Sequence, residues 1–211
     1  MARRRSTADQ LRWALAADVC ALVRRSPGIT RAQVARELGI STGTATDLVT
    51  RMRRAAILTE GDPVPHGRGR PTSALAAHPR GPLVIAVEIT ATGWRMVSAG
   101  LDGRLTATVS APHRGRGPDD VLAPIRRAVI AEANGRPGRV RAVSVAVAAT
   151  VRDGSVVQSS VLDWGRVSLA PLGAPGAALL VANDATCEAL AESRRGASHG
   201  ARSALHLTVL T

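Results

Sequence analysis

The sequence predicts an α/β fold in which a winged helix-turn-helix unit precedes an α/β domain, and two observations carry this prediction. Residues 1–80 are basic and place apolar side chains at helical spacing. Residues 81–211 instead contain apolar runs of strand length that alternate with helical patterns. Because 211 residues suffice for two units with separate cores, we expect one domain at 1–80 and a second at 81–211.

Three helices are predicted in the first unit. The first ends at Pro27-Gly28. Thr30 and Gln33 have the spacing of a capping box at the start of the second helix, and Gly39 suits its end. Ser41 then caps a third helix. Two helices joined by a turn that contains glycine, after a longer leading helix, make a helix-turn-helix.

The apolar stripes of these helices define the expected core of the first unit. The stripe residues are Leu11, Leu15, Val19, Leu22 and Val23 in the first helix, Val34 and Leu38 in the second, and Ala45, Leu48, Val49 and Met52 in the third.

A β-hairpin, the wing, is predicted after the third helix, with strands at 57–60 and 72–76. The stretch HGRGRPTSAL at 66–75 covers its tip, where Arg68 and Arg70 flank Gly69. The glycine lets the backbone approach a groove floor, and the guanidinium groups favour the negative potential of a narrow, A·T-rich minor groove. The wing context favours this interpretation over a solvated turn.

The charge of the chain favours a polyanionic partner. The net charge is +12, and all 28 basic residues are arginine. Residues 1–80 hold 14 arginines against 6 acidic residues, or +8 of this total, so the polyanion-binding surface is expected there. Phe and Tyr are absent, which argues against an aromatic platform for single-stranded RNA.

Double-stranded DNA is the expected partner, with the start of the third helix in the major groove. The short side chains in its first turns can reach base edges or phosphates. Capping of the helix or simple exposure to solvent explains the same side chains equally well. The arginines outside the wing are expected to contact phosphates or to be solvated, and Asp47 is expected to pair with a neighbouring arginine. The candidate DNA-binding residues are Arg31, Thr42, Gly43, Thr44, Thr46, Arg51, Arg68, Gly69 and Arg70.

Targeting and metal-binding patterns are weak. Asp9, Arg12 and Asp18 interrupt any apolar core of a signal peptide, and no apolar run is long enough to span a membrane. We therefore expect a cytoplasmic protein with no membrane partner. Cys20 and Cys187 form no metal-ligand cluster in sequence, so we expect two reduced thiols and no metal.

Strands and helices are both predicted in the second unit. LVIAVEI forms a buried strand at 83–89, and WRMVSAGLDGRLTATVS predicts two strands across an Asp102-Gly103 turn. Helices are expected at 118–133 and 185–195. Further strands are expected within VRAVSVAVAA, VVQSSVLDW, ALLVAND and RSALHLTVL.

Asn183 and Asp184 stand at the carboxyl end of the ALLVAND strand. Polar residues at this position in an α/β sheet commonly bind ligands. A helix N-cap, with Asp184 opening the helix that follows, explains the same residues equally well.

Several segments resemble the ROK family, which contains sugar-responsive repressors and sugar kinases. GITRAQVARELGISTGTATDLVTRMRRAAILTEG resembles its winged helix-turn-helix, and GRGRP at 67–71 resembles its wing signature. VLDWGRVSLAPL and VANDATCEALAE are similar to its central segments. The resemblance is to the repressor branch, and it implies a DNA-binding head followed by one lobe of an actin-like (ribonuclease H-like) sugar-binding domain. It also implies a sugar or sugar phosphate effector and a homo-oligomer that binds paired half-sites.

The chain departs from the kinases of this family. Their first strand leads into an Asp and a Gly-rich phosphate loop, where this sequence has Glu88 and only Gly93 nearby. Ala148-Ala149 replaces an expected Pro-Gly. We therefore expect neither phosphoryl transfer nor catalytic residues, and no cofactor.

The sequence stops at HLTVLT, where the family continues into a Gly-rich loop and a second lobe. Asn183 and Asp184 match the family's sugar-contacting pair, and with one lobe they are expected to form a vestigial sugar site. The expected function is that of a sequence-specific repressor of sugar-metabolism genes. A ROK-type sugar kinase and a truncated, non-functional remnant are the alternatives.

Overall fold

The computed structural model describes residues 7–64, 72–113 and 117–207. Two compact units are present, Met1–Pro82 with Gly100–Arg104, and Leu83–Ala99 with Leu105–Thr211. The first unit is called the head and the second the lobe. Each has its own cluster of buried apolar side chains, and the two clusters share no residue.

Three helices form the helix-turn-helix of the head: α1 (Thr7–Arg25), α2 (Arg31–Glu37) and α3 (Thr42–Arg54). Both bonds of the predicted capping box between Thr30 and Gln33 are present at the start of α2. Ser41 caps α3 as predicted, and Gly39 in the intervening turn has a φ of 61°, a conformation that favours glycine.

The head core lies between the three helices and the wing. Its buried members are Val19, Leu22, Val23, Ile29, Val34, Val49, Met52, Leu58 and Leu75. The predicted stripe of α1 is therefore confirmed in its second half, but the expectation for Leu11 is wrong, because its side chain is 63% exposed.

The wing is an antiparallel hairpin of β1 (Leu58–Val64) and β2 (Thr72–Ala77). Strand β2 is hydrogen-bonded to the helix-turn-helix, because the Leu75 amide donates to the Ile29 carbonyl oxygen at 2.8 Å. Leu58 and Leu75 point into the head core. The stem of the wing is thus part of the folded head.

A five-stranded sheet forms the centre of the lobe, in the spatial order β10-β6-β3-β4-β5. Its strands are β3 (Leu83–Ile89), β4 (Gly93–Gly100), β5 (Leu105–Pro112), β6 (Val140–Val147) and β10 (Ala178–Asn183). Strands β3, β6 and β10 are parallel, and β4 pairs antiparallel with β5. The sheet is therefore mixed.

Helix α4 (Pro118–Gly135) packs on this sheet through Val121, Ile125 and Val129, all of which are buried. A small sheet of β7 (Thr150–Arg152), β8 (Ser155–Gln158) and β9 (Val167–Ser168) contributes Val156 to the same core. Helix α5 (Asp184–Arg195) follows β10 directly, so a helix N-terminus meets the carboxyl ends of the parallel strands.

Most elements predicted for residues 81–211 are present, including the two strands joined across Asp102-Gly103, where Gly103 has a φ of 80°. The final strand is the exception: residues 201–207 contain no strand. Leu205 and Leu207 are exposed, and His206 is held instead by Glu188 of α5 at 3.0 Å. An alternating pattern produces a strand only where a sheet edge lies alongside.

Among the described residues, no helix is long and apolar enough to cross a membrane.

Candidate functional site

The first turn of α3 presents a continuous exposed surface. Thr42, Gly43, Thr44 and Thr46 are all exposed, whereas Ala45 on the opposite face is buried in the head. A helix N-terminus directs free backbone N–H groups and the positive end of the helix dipole outward. This surface therefore suits an anionic partner, and its side chains are short enough for close approach.

Ser41 fixes this turn. Its Oγ accepts a hydrogen bond from the Thr44 amide at 3.1 Å and lies 2.9 Å from Thr44 Oγ1. The Thr44 hydroxyl therefore takes part in the cap, the alternative that the sequence left open for it. The hydroxyls of Thr42 and Thr46 have no such contact with Ser41.

Replacing Ser41 by Ala is expected to lower the free energy of unfolding of the head by about 0.5–2 kcal/mol, because it removes the α3 cap. Urea unfolding followed by circular dichroism measures this loss. Thr42→Ala, an exposed position one residue further on, is the matched control and should change it by less than about 0.5 kcal/mol. Equal losses in both variants would contradict the assigned cap.

Asp47 and Arg51 form an ion pair one helical turn apart on α3, with an N–O distance of 2.8 Å. This confirms that Asp47 pairs with a neighbouring arginine. Both side chains are more than half exposed, so the pair is worth little to stability. The Arg51 guanidinium nonetheless remains on the exposed side of α3, where a phosphate could reach it.

Arg31 has a different environment. Its Nε donates to Oε1 of Glu60 in β1, and Arg53 Nη1 lies 2.8 Å from the other carboxylate oxygen. The Glu60 side chain is only 15% exposed. Sequence analysis named Arg31 as a DNA contact and did not single out Glu60. The only available signal was an acidic residue within a basic stretch.

Arg68, Gly69 and Arg70, the predicted groove readers of the wing, lie outside the described residues. The described stem ends at Val64 and resumes at Thr72. They remain predictions from the sequence.

A second candidate site lies in the lobe, at the carboxyl ends of β6 and β10. A cavity of about 350 Å³ opens there. The polar residues that line it are Thr150, Gln158, Ser159, Ser160, Asn183 and Asp184. Sequence analysis identified only the last two. The polar run QSS at 158–160, which begins at the last residue of β8, could have indicated three of the others.

Asn183 caps α5. Its Oδ1 accepts from the Thr186 amide at 3.1 Å, and its Nδ2 donates to the Ala149 carbonyl oxygen at 3.1 Å. Asp184 is the first helical residue, and its Oδ1 accepts from the adjacent Ala185 amide at 2.8 Å. The capping side chain is thus Asn183 rather than Asp184. The remaining carboxylate oxygen of Asp184 has no hydrogen-bond partner within the described part of the lobe.

The β3–β4 turn differs from a phosphate loop. Glu88 Oε2 accepts from Arg95 Nη2 at 2.9 Å. Thr90 closes the turn on Gly93, its backbone amide donating to the Gly93 carbonyl oxygen at 2.9 Å. The acid that replaces the family's Asp is therefore occupied by an arginine.

No group of three or more His, Cys, Asp or Glu side chains within the described ranges is arranged to hold a metal ion. Burial raises the pKa of the Cys20 thiol, and nearby Arg24 only partly opposes this. Burial also raises the pKa of Cys187, with smaller contributions from Asp184 and Glu188. Neither thiol is therefore activated towards metals or electrophiles.

The head and lobe together define a class: a winged helix-turn-helix joined in sequence to one lobe of an actin-like, kinase-like domain. A solved ROK family transcriptional regulator, described as a homologue of the E. coli MLC protein, has this arrangement. It is 21% identical to the chain with a TM-score of 0.66, and the match covers 88% of this chain and 49% of that one. The chain thus spans about half the length of that structure. The resemblance to the ROK family is confirmed at the level of the fold.

Sugar kinases of the same family are also similar. A ROK family glucokinase from Streptomyces griseus, solved with glucose and AMPPNP, is 27% identical with a TM-score of 0.48, over 56% of this chain and 38% of that one. A glucokinase from Parabacteroides distasonis is 19% identical with a TM-score of 0.46, over 54% and 34%. No family model matches the chain, and no curated protein matches it in sequence.

Proposed function

We propose that the chain is a transcription regulator of the ROK type that binds double-stranded DNA in a sequence-specific way. The observation that carries this proposal is the exposed first turn of α3, with Thr42, Gly43 and Thr46 at the free end of a helix whose other face is buried. A recognition helix enters the major groove by such a turn. The net charge of the head, concentrated in arginine, supplies the attraction to the phosphates.

The proposed contacts divide into two kinds. The start of α3 and the wing residues Arg68, Gly69 and Arg70 read base edges and groove shape. Arg51 contacts phosphate and contributes to affinity and salt dependence rather than to sequence choice. Thr44 has a supporting role in this proposal, because both its amide and its hydroxyl contact Ser41 and hold the turn in place.

Selection of duplexes from a random library by the purified chain tests the proposal. Sequence-specific binding should enrich one motif that contains an A·T-rich segment beside a major-groove site. A motif repeated about one helical turn apart would show that paired copies bind. Weak binding without an enriched motif, falling steeply with salt, would contradict the proposal and favour the remnant alternative.

The cavity beside Asp184 is the proposed site of a sugar or sugar phosphate effector. The remaining carboxylate oxygen of Asp184, at the end of β10, and the exposed Ser160 side chain that also lines the cavity suit the hydroxyl groups of a sugar. Effector binding would change DNA affinity by favouring one arrangement of the protein over another.

Binding of sugars to the 211-residue chain is expected to be weak, with a Kd on the order of 1 mM, and Asp184→Asn should abolish it. The same substitution should lower the free energy of unfolding by less than about 1 kcal/mol. Asn183→Ala is the contrasting variant, because it also removes the α5 cap. Titration with a panel of hexoses and hexose phosphates, followed by NMR chemical shifts, measures the binding. Shifts that persist in Asp184→Asn would rule out this site.

A sugar kinase is the second candidate, since the family that the sequence resembles also contains sugar kinases. The pairing of Glu88 with Arg95 and the short β3–β4 turn count against it. Phosphoryl transfer depends on holding the phosphates and their metal at that position.

A further inference from the structure

Glu60 lies where three elements of the head meet. It is the third residue of β1 in the wing, while Arg31 is the first residue of α2 and Arg53 lies in the last turn of α3. Each oxygen of its carboxylate contacts a different guanidinium group. The three side chains therefore form one cluster, called here the Glu60 clamp.

The side chains of the Glu60 clamp are partly buried. The Glu60 side chain is 15% exposed, against 30% for Arg31 and 45% for Arg53. Screening by solvent and salt is weaker for such a pair than for a fully exposed one. Arg51, by contrast, is paired with Asp47 and both are more than half exposed. Arg31 and Arg53 thus share a carboxylate that is largely buried, whereas the carboxylate paired with Arg51 is exposed.

Restraint of an arginine has a direct effect on DNA binding. Each guanidinium that neutralises a phosphate releases counterions, and this gain does not depend on sequence. An arginine held by a carboxylate must break that contact, or share it, before it reaches a phosphate. The clamp therefore removes two potential sequence-independent contacts from the head while leaving α3 and the wing stem in place.

We propose that Glu60 is a specificity-determining residue: it holds Arg31 and Arg53 off the phosphate backbone and so raises the ratio of specific to non-specific DNA binding. This inference rests on the proposed DNA-binding function. A purely structural ion cluster is the competing explanation. If the cluster were only structural, loss of the Glu60 charge would weaken specific and non-specific DNA binding by the same factor, and neither arginine would gain a phosphate contact.

Glu60→Gln separates these explanations, because it keeps the shape of the side chain and removes its charge. Binding to a duplex that lacks the selected motif should tighten roughly threefold to tenfold at 0.1 M salt. The slope of log K against log salt should steepen by up to about 1.8, or ~0.9 for each released arginine. Affinity for the selected motif should rise by a smaller factor, so the specificity ratio falls.

Glu37→Gln is the matched control. Glu37 is exposed at the end of α2 and forms no ion pair within the described ranges, and its substitution changes the net charge by the same amount. It should leave the salt slope unchanged. In the variant Glu60→Gln/Arg31→Gln/Arg53→Gln, the slope should return to that of the parent chain. Equal effects of Glu37→Gln and Glu60→Gln on the slope would overturn the proposal.

A measurement on the unsubstituted chain remains informative if Glu60→Gln fails to fold. The Nε–H signal of Arg31 in NMR spectra should show slow exchange in the free protein and in a complex with non-motif DNA. Transfer of Arg31 to phosphate in that complex, seen as a large change in the Nε–H chemical shift on addition of non-motif DNA, would overturn the proposal. Failure of the random-library selection, with the clamp intact in the free protein, would instead count against the proposed function.

Discussion

The variant Arg68→Ala/Arg70→Ala is expected to lose about 2–6 kcal/mol of affinity for its selected duplex, or roughly 30-fold to 2 × 10⁴-fold in Kd, since each base-reading contact contributes about 1–3 kcal/mol. The two arginines flank Gly69 at the predicted tip of the wing. In a narrow A·T-rich minor groove, guanidinium groups gain from the strong negative potential as well as from hydrogen bonds. Most of the loss should therefore be specific to the A·T-rich segment.

Fluorescence anisotropy at several salt concentrations measures this effect on the selected duplex and on a duplex whose A·T-rich segment is replaced by G·C pairs. Arg194→Ala/Arg195→Ala, in the last turn of α5, makes the same change in net charge outside the head. It should weaken binding only slightly and equally on both duplexes. If the two double variants behave alike, the wing tip is a solvated turn.

Local rules made the helices of the head predictable. Thr30 and Gln33 are three residues apart, and both bonds of their capping box are local. Ser41 and the turn at Asp102-Gly103 are also determined by neighbouring residues. Such interactions depend on a few consecutive positions, so the sequence alone is sufficient to identify them.

Contacts between distant positions were not predictable in the same way. Arg31 and Glu60 are 29 residues apart, and only the hairpin that follows α3 brings them together. Leu11 has the right spacing for a core residue, yet its side chain is 63% exposed. The strand expected within RSALHLTVL is absent from the described part of that segment, residues 202–207, since an alternating pattern does not by itself supply a neighbouring strand.

In the candidate sites, too, the features set by neighbouring residues were predictable, whereas those set by distant residues were not. The exposed start of α3 follows from its cap and its apolar stripe, both visible in the sequence. The ends of β6 and β10 lie side by side only because these strands are parallel neighbours, which brings Ala149 within reach of Asn183. The role of Asn183 as cap could be expected only as one of two alternatives.

Ile125→Ala is expected to lower the free energy of unfolding of the lobe by about 2–5 kcal/mol. Ile125 is completely buried in the lobe core, on the face of α4 that packs on the sheet. Truncation leaves a cavity that the surrounding strands can close only in part. The head should be unaffected, because its buried cluster contains none of the same residues.

The tryptophans allow the two units to be followed separately during urea unfolding. Trp94 and Trp164 are buried in the lobe core, while Trp13 of the head is 57% exposed, so the change in fluorescence reports mainly on the lobe. The fluorescence midpoint should move to lower urea in Ile125→Ala, while DNA binding at low urea persists. Leu190→Ala, at a position 56% exposed on α5, is the control and should change the free energy by less than about 0.5 kcal/mol. Simultaneous loss of DNA binding and of lobe fluorescence would show that the two units unfold as one, and would contradict the proposed division into domains.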